Sequence, residues 1–123
     1  MKKYSATILS VGPLLGEFTE AGILVFFGEN APEELQEFSV IHDGTTLEAD
    51  LEPGDFVSLD GVEYKILAVG EIANLNFRNL GHLVLKFNGE TEVDLPGDVC
   101  VEAKPLALLH PGSKIEVYSK DNL

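Results

Sequence analysis

This sequence predicts an all-β fold: a small closed antiparallel β-barrel with one or two short helices. Three observations predict it. Turn signals are dense over most of the chain, at Glu52-Pro53-Gly54-Asp55, Asp60-Gly61, Asn88-Gly89, Leu95-Pro96-Gly97-Asp98 and His110-Pro111-Gly112-Ser113. Glycine tolerates positive φ and proline pre-sets a turn, so each cluster can reverse the chain. Between the clusters lie short runs rich in β-branched and aromatic residues, the composition that fits a pleated sheet. Helical signals are confined to two short segments. The length of 123 residues suits one domain spanning 1–123, large enough to fold without staples.

In chain order, the first helix is predicted from Ala31-Pro32-Glu33-Glu34-Leu35 to about Phe38, with proline and acids where a first helical turn favours them. The run Phe38-Ser39-Val40-Ile41 follows as a strand ending at His42. Phe56-Val57-Ser58-Leu59 and Val62 to Val69 read as strands on either side of Asp60-Gly61. A second helix is predicted over Ile72 to Leu80, with Gly81 as its stop and three asparagines weakening it. Both helices are expected to cover open ends of the sheet. Leu83, Leu85 and Phe87 alternate with polar positions, as do Thr91, Val93 and Leu95. A three-residue loop through Asn88-Gly89 would pair these runs as a hairpin, with Lys86 near Glu90 and His82 near Asp94. Val99-Cys100-Val101 and Lys114 to Tyr118 read as the remaining strands.

Charge narrows the function. The formal net charge is −13 and the pI about 4.4. Such a surface repels phosphate backbones, which argues against nucleic acid as a partner, and it disfavours anionic membranes. It suits a partner with a basic docking surface, or simply solubility. Cys100 is the only cysteine, so no internal disulfide forms, which points to a reducing compartment. The N-terminal Met1-Lys2-Lys3-Tyr4-Ser5 leads into no signal-peptide core, and no run nears the roughly 20 apolar residues of a membrane span. A cytoplasmic protein without membrane insertion is expected.

No metal-ligand spacing, Walker loop, dinucleotide fingerprint or nucleophile elbow is present, and no motif asks for a cofactor. Three histidines remain. His42 sits between a strand and Asp43-Gly44, where the strand would aim its ring and the turn expose it. A neutral imidazole nitrogen can take a phosphoryl group and pass it on, although capping a strand end is the commoner use of such a residue. His82 could bind a phosphoryl oxygen or pair with Asp94. Arg78, one helical turn earlier, could fork a phosphate or make a surface ion pair. His110 in its Pro-Gly corner faces solvent, and Cys100 reads as a small buried hydrophobe.

Several stretches together resemble one family, the glucitol/sorbitol-specific IIA components of the sugar phosphotransferase system. They are Ala31-Pro32 through Ile41-His42, Leu67-Ala68-Val69-Gly70, and Asn76-Phe77-Arg78-Asn79-Leu80-Gly81-His82 running into Lys86-Phe87-Asn88-Gly89. The corners Leu95-Pro96-Gly97 and Pro111-Gly112-Ser113 also match. The resemblance implies a closed β-barrel-like fold and a phosphohistidine at the Ile-His motif, His42. It implies His82 and Arg78 as phosphate-stabilising residues. It further implies relay partners: HPr, the histidine phosphocarrier, as donor, and the glucitol/sorbitol IIB and IIC permease components as acceptors. The contrasting expectations are a non-catalytic β-barrel interaction module that retains the fold and a small phosphate- or sugar-binding regulator. The hairpin register predicts that His82 lies close to His42.

Overall fold

The computed structural model describes residues 1–120. Eight strands and three short helices follow one another as β1 Lys2–Val11, α1 Gly16–Thr19, β2 Ile23–Phe27, α2 Glu33–Gln36, β3 Val40–His42, β4 Phe56–Leu59, β5 Val62–Val69, α3 Ala73–Leu80, β6 Leu83–Lys86, β7 Asp98–Val101 and β8 Lys114–Tyr118. The strands close into a barrel in the order β1-β3-β2-β6-β7-β5-β4-β8. Closure removes every free sheet edge. The expected closed barrel is therefore present. Its pairings are antiparallel except for two, β2 with β3 and β6 with β7, which are parallel.

The β4–β5 hairpin follows directly from local chemistry. Asp60 and Gly61 both have positive φ, 51° and 84°, the conformation of a two-residue turn whose twist matches the strands. Leu59 then faces Val62, and Val57 faces Tyr64. Alternate residues point inward, so Val57, Leu59, Tyr64, Ile66, Leu83, Leu85, Val99, Val101, Ile115 and Val117 form one buried core. Each large aliphatic side chain buried there contributes roughly 1.5–3 kcal/mol.

The predicted hairpin through Asn88-Gly89 does not form. Leu83 and Leu85 do face the core, as their alternation predicts. However, β6 pairs antiparallel with β2, Leu83 opposite Phe26, and parallel with β7, Leu85 opposite Val99. Residues 88–97 are a crossover, long enough to reverse the chain twice. Asn88 Oδ1 accepts from the Glu90 N–H and Gly89 N–H reaches the Val101 carbonyl, which turns the chain away from β6. Lys86 consequently meets Asp98, at 2.8 Å, and not Glu90. The physical reason is competition. A central strand is covered on both faces and favours continuous apolar neighbours. Ile-Leu-Val-Phe-Phe of β2 and Val-Cys-Val of β7 supply them, whereas the 90–94 segment carries three carboxylates.

The helices also differ from expectation in extent and place. The α2 helix is one turn, Glu33–Gln36, shorter than the predicted 31–38 segment. Its Ser39 hydroxyl bonds back to the Leu35 carbonyl and ends it. The connection carrying it packs Ala31 on Phe27 and Ile41, on the outer face of the wall. The α3 helix does cover a barrel end, burying Ala73 and Phe77. Gly81 ends it in the left-handed conformation, with φ 64°. No helix among the described residues is long and apolar enough to cross a membrane.

Candidate functional site

Strand β3 is only three residues long, and it aims them strictly. Val40 and His42 point into the barrel, while Ile41 packs outside with Phe27 and Ala31. His42 is therefore 1% exposed, contrary to the exposure expected from the Asp43-Gly44 turn. The reason is that the chain folds back after the turn, and Tyr4 of β1 and Phe77 of α3 close over the ring. Tyr4 meets it edge-on at 5.7 Å between centroids and Phe77 at 6.4 Å.

Backbone groups alone satisfy the imidazole. Nε2 lies 2.8 Å from the Gly81 carbonyl oxygen, and Gly44 N–H donates to Nδ1 at 3.1 Å. A carbonyl only accepts and an amide N–H only donates, so the proton sits on Nε2 and the lone pair on Nδ1. Burial holds the ring's proton affinity below the usual histidine value, against the opposing pull of the Gly81 carbonyl and the charges of Asp43 and Glu29. His42 is accordingly neutral near pH 7.

Two glycines make this approach possible. A Cβ at Gly81 would lie 2.9 Å from His42 Cε1 and 2.8 Å from the Gly28 nitrogen. A Cβ at Gly44 would lie 2.4 Å from the Tyr4 hydroxyl oxygen. Tyr4, Gly44, Phe77 and Gly81 together form the floor of a cleft of about 560 Å³, with His42 directly behind them. Glu29, Leu35, Arg78 and Leu80 also line it. Leu35 and Leu80 are exposed, at 42% and 55%.

The other sequence candidates fall around this centre unequally. Arg78 lines the cleft, half exposed, with its guanidinium 2.9 Å from the Asp50 carboxylate. Together with Asn74, which bonds both backbone groups of Leu51, it ties the 44–55 segment to α3. His82 is next in sequence to the Gly81 carbonyl that holds His42, yet its ring lies on the outer face of the wall. It stacks on Phe27 at 4.1 Å, and its Nδ1–H donates to the Phe26 carbonyl at 3.2 Å. Gly81 thus brings the two residues near each other, but their imidazoles face opposite sides of the wall, so the expected approach of His82 to His42 does not occur. The expected pairing of His82 with Asp94 is lost with the hairpin that would have created it.

His110 is exposed in its corner, 4.0 Å from Asp60. Cys100 is buried, and burial pushes its thiol up, so it is unreactive. Among the described residues, no group of three His, Cys, Asp or Glu is placed to hold a metal ion. Tyr4, Gly44 and Phe77 escaped the sequence reading. Only Gly44 left a signal there, two residues past His42, where a turn amide can reach back to a ring nitrogen.

Residues 3–116 match the family described as PTS system glucitol/sorbitol-specific IIA component. The chain is 35% identical over 116 residues to proteins of that description from Shigella flexneri and Escherichia coli (strain K12), covering 94% of this chain and 94% of each relative. Its fold is that of a crystal structure titled PTS System IIA Component from Enterococcus faecalis V583. The TM-score is 0.81 at 24% identity, over 93% of this chain and 98% of the other. The chain belongs to the family of PTS system glucitol/sorbitol-specific IIA components.

Proposed function

We propose that this protein is the cytoplasmic phosphocarrier of a glucitol/sorbitol phosphotransferase system and that His42 carries the phosphoryl group. The observation that carries the reading is the state of the His42 ring. It is neutral, its proton is committed to the Gly81 carbonyl, and it lies just beneath a surface cleft. A neutral nitrogen in a fixed tautomer is a ready nucleophile, and transfer of a phosphoryl group then needs positioning more than covalent machinery.

In the relay, phosphorylated HPr docks over the cleft and His42 accepts the phosphoryl group. A IIB component then takes it, and the IIC permease uses it to phosphorylate the incoming hexitol. The sugar does not bind here. Exposed Leu35 and Leu80 beside the cleft suit a protein partner, and the net charge of −13 favours a basic one. Gly44 and Thr45 border the cleft above the ring and must shift to admit the phosphorus. Arg78 is the one cation lining the cleft among the described residues, and exchange of Asp50 for a phosphoryl oxygen would bring it into play. His82 acts through position, holding the backbone at Phe26 beside the Gly81 turn.

One observation favours a second reading. A histidine 1% exposed and bonded to backbone on both nitrogens also serves as a structural peg in a non-catalytic module. Incubation with phosphoenolpyruvate, enzyme I and HPr separates the two. A carrier takes up acid-labile phosphate that His42→Gln does not, whereas a wild-type protein that stays unlabelled is a module.

A further inference from the structure

The His42 ring is held by the carbonyl of Gly81, and glycine has the least restricted backbone of any residue. The helix cap ties this turn to α3: Gly81 N–H bonds to the Phe77 carbonyl at 3.0 Å and His82 N–H to Asn76 at 3.3 Å. Those bonds fix Gly81 on its helix. They do not fix it relative to His42, which stands on β3. Strand β2 does that, because β2 pairs directly with β3, Phe26 opposite Val40 and Phe27 opposite Ile41. Two bonds from the end of β2 grip the residues on either side of Gly81. The Gly28 N–H donates to the Leu80 carbonyl at 3.0 Å, and the His82 ring Nδ1–H donates to the Phe26 carbonyl at 3.2 Å. Phe27 sets the plane of that ring by stacking on it at 15°. The fit at Gly28 is close, since a Cβ there would lie 3.0 Å from the Leu80 oxygen.

We propose that His82 and Gly28 are positioning residues, which clasp the Gly81 turn to β2 and thereby fix the orientation and the proton of the His42 ring. The proposal rests on the reading of His42 as carrier and names what sets that ring. His82 touches no phosphoryl group in this role, since its imidazole lies on the outer face of the wall. It acts through one peptide unit. The Gly81 carbonyl and the His82 N–H belong to the same peptide plane, so the side chain that anchors residue 82 also aims the carbonyl of residue 81. A carbonyl aimed at Nε2 keeps the proton there and the ring in one tautomer. Without the clasp, the turn would still end α3, but it could drift from β3. The His42 ring would then lose its fixed acceptor and sample both neutral tautomers. A nucleophile must be placed to within a fraction of an ångström, and a clasp on the neighbouring strand supplies that placement.

The test combines a rate with a spectrum. Phosphoryl uptake from phosphorylated HPr and the ring ¹⁵N resonances of unphosphorylated His42 are measured in wild-type protein and three variants. His82→Phe keeps a ring to stack on Phe27 and removes the donor. His82→Asn gives up the stack and keeps an N–H at the place of Nδ1. Uptake by His82→Phe should be roughly tenfold slower, the cost of a misplaced reacting group, and its His42 ring should show mixed tautomers. His82→Asn should stay within about threefold of wild type and keep the single tautomer. Gly28→Ala, whose Cβ presses on the Leu80 carbonyl, should repeat both changes seen in His82→Phe. A merely structural role would lower unfolding midpoints and leave the His42 spectrum of the folded protein unmoved. His82→Phe with the wild-type rate or an unchanged His42 spectrum, or His82→Asn as impaired as His82→Phe, overturns the assignment and leaves His42 as carrier. Wild-type protein that takes up no acid-labile phosphate overturns the carrier reading itself, an outcome distinct from any failure of the variants.

Discussion

Two buried polar centres hang on adjacent residues of β1 and are built on opposite principles. At Lys3, ionised groups meet. Its ammonium lies 2.7 Å from Asp55, 2.8 Å from the Asp50 carbonyl and 3.5 Å from Glu52, with Lys3 and Asp55 both nearly inaccessible. At Tyr4, the contact is with a neutral histidine whose partners are peptide dipoles. Burial lowers the affinity of both bases for protons. At Lys3 the Asp55 hydrogen bond and the charges of Asp55 and Glu52 overcome it, and the proton is held more firmly than usual. At His42 burial wins. The difference teaches what each centre is for. A matched ion pair is hard to rearrange, because moving either member strands a charge. A neutral ring between backbone groups can exchange one partner at modest cost, which is what the carrier role proposed for His42 requires.

Substitution should separate the two centres, and four experiments press on the contrast. The largest effect is expected at His42→Gln, with complete loss of acid-labile labelling and a fold kept intact, since glutamine still offers one donor and one acceptor. Residual labelling near the wild-type level would collapse the distinction. Next, Lys3→Met should lower stability by about 3 kcal/mol in chemical denaturation by orphaning Asp55, while the folded fraction still accepts phosphate. Loss of labelling in folded Lys3→Met would mean that the ion pair belongs to the carrier site.

The pH dependence sharpens the same contrast with smaller effects of opposite sign. His42 binds its proton less readily in the folded chain than in the unfolded chain, whose value is near 6.5. Its contribution to stability is therefore complete above about 6.5 and is lost as pH falls below that value. Lys3 binds its proton more readily than the ordinary value of 10.5. Its contribution is complete below about 10.5 and is lost as pH rises through it. Unfolding midpoints measured across pH should show His42→Gln flattening only the acid limb and Lys3→Met only the alkaline limb. The smallest effect belongs to His110→Ala. That exposed ring touches neither centre, and both labelling and stability should stay within about 0.5 kcal/mol of wild type.

Local chemistry was legible in the sequence and tertiary choice was not. Asp60-Gly61 specifies its own hairpin, and Gly81 specifies where α3 ends, because each conformation is decided within a few residues. The partner of β6 is decided by which distant strands offer apolar surface on both faces, so the alternation in 83–87 correctly placed its core side and misplaced its neighbour. The burial of His42 depends on Tyr4 and Phe77, which reach it only after the barrel closes. The Ile-His motif drew attention to His42, and nothing local announced the rings that cover it. The α1 helix is one turn opening on a glycine and carried no periodic signal.

Strand β1 lies between β3 and β8, the last strand of the barrel, with Tyr4 opposite Val117. That seam gives the protein a timetable. During synthesis, β3 and its histidine emerge long before β8 does. Until the final strand docks, β1 has support on one side only and the tyrosine edge of the site is not held. A seam joining residues more than a hundred positions apart also carries a high loop-closure entropy and forms slowly. A half-made chain thus presents an imidazole without its enclosure, and the buried neutral state of His42 arrives together with the completed circle.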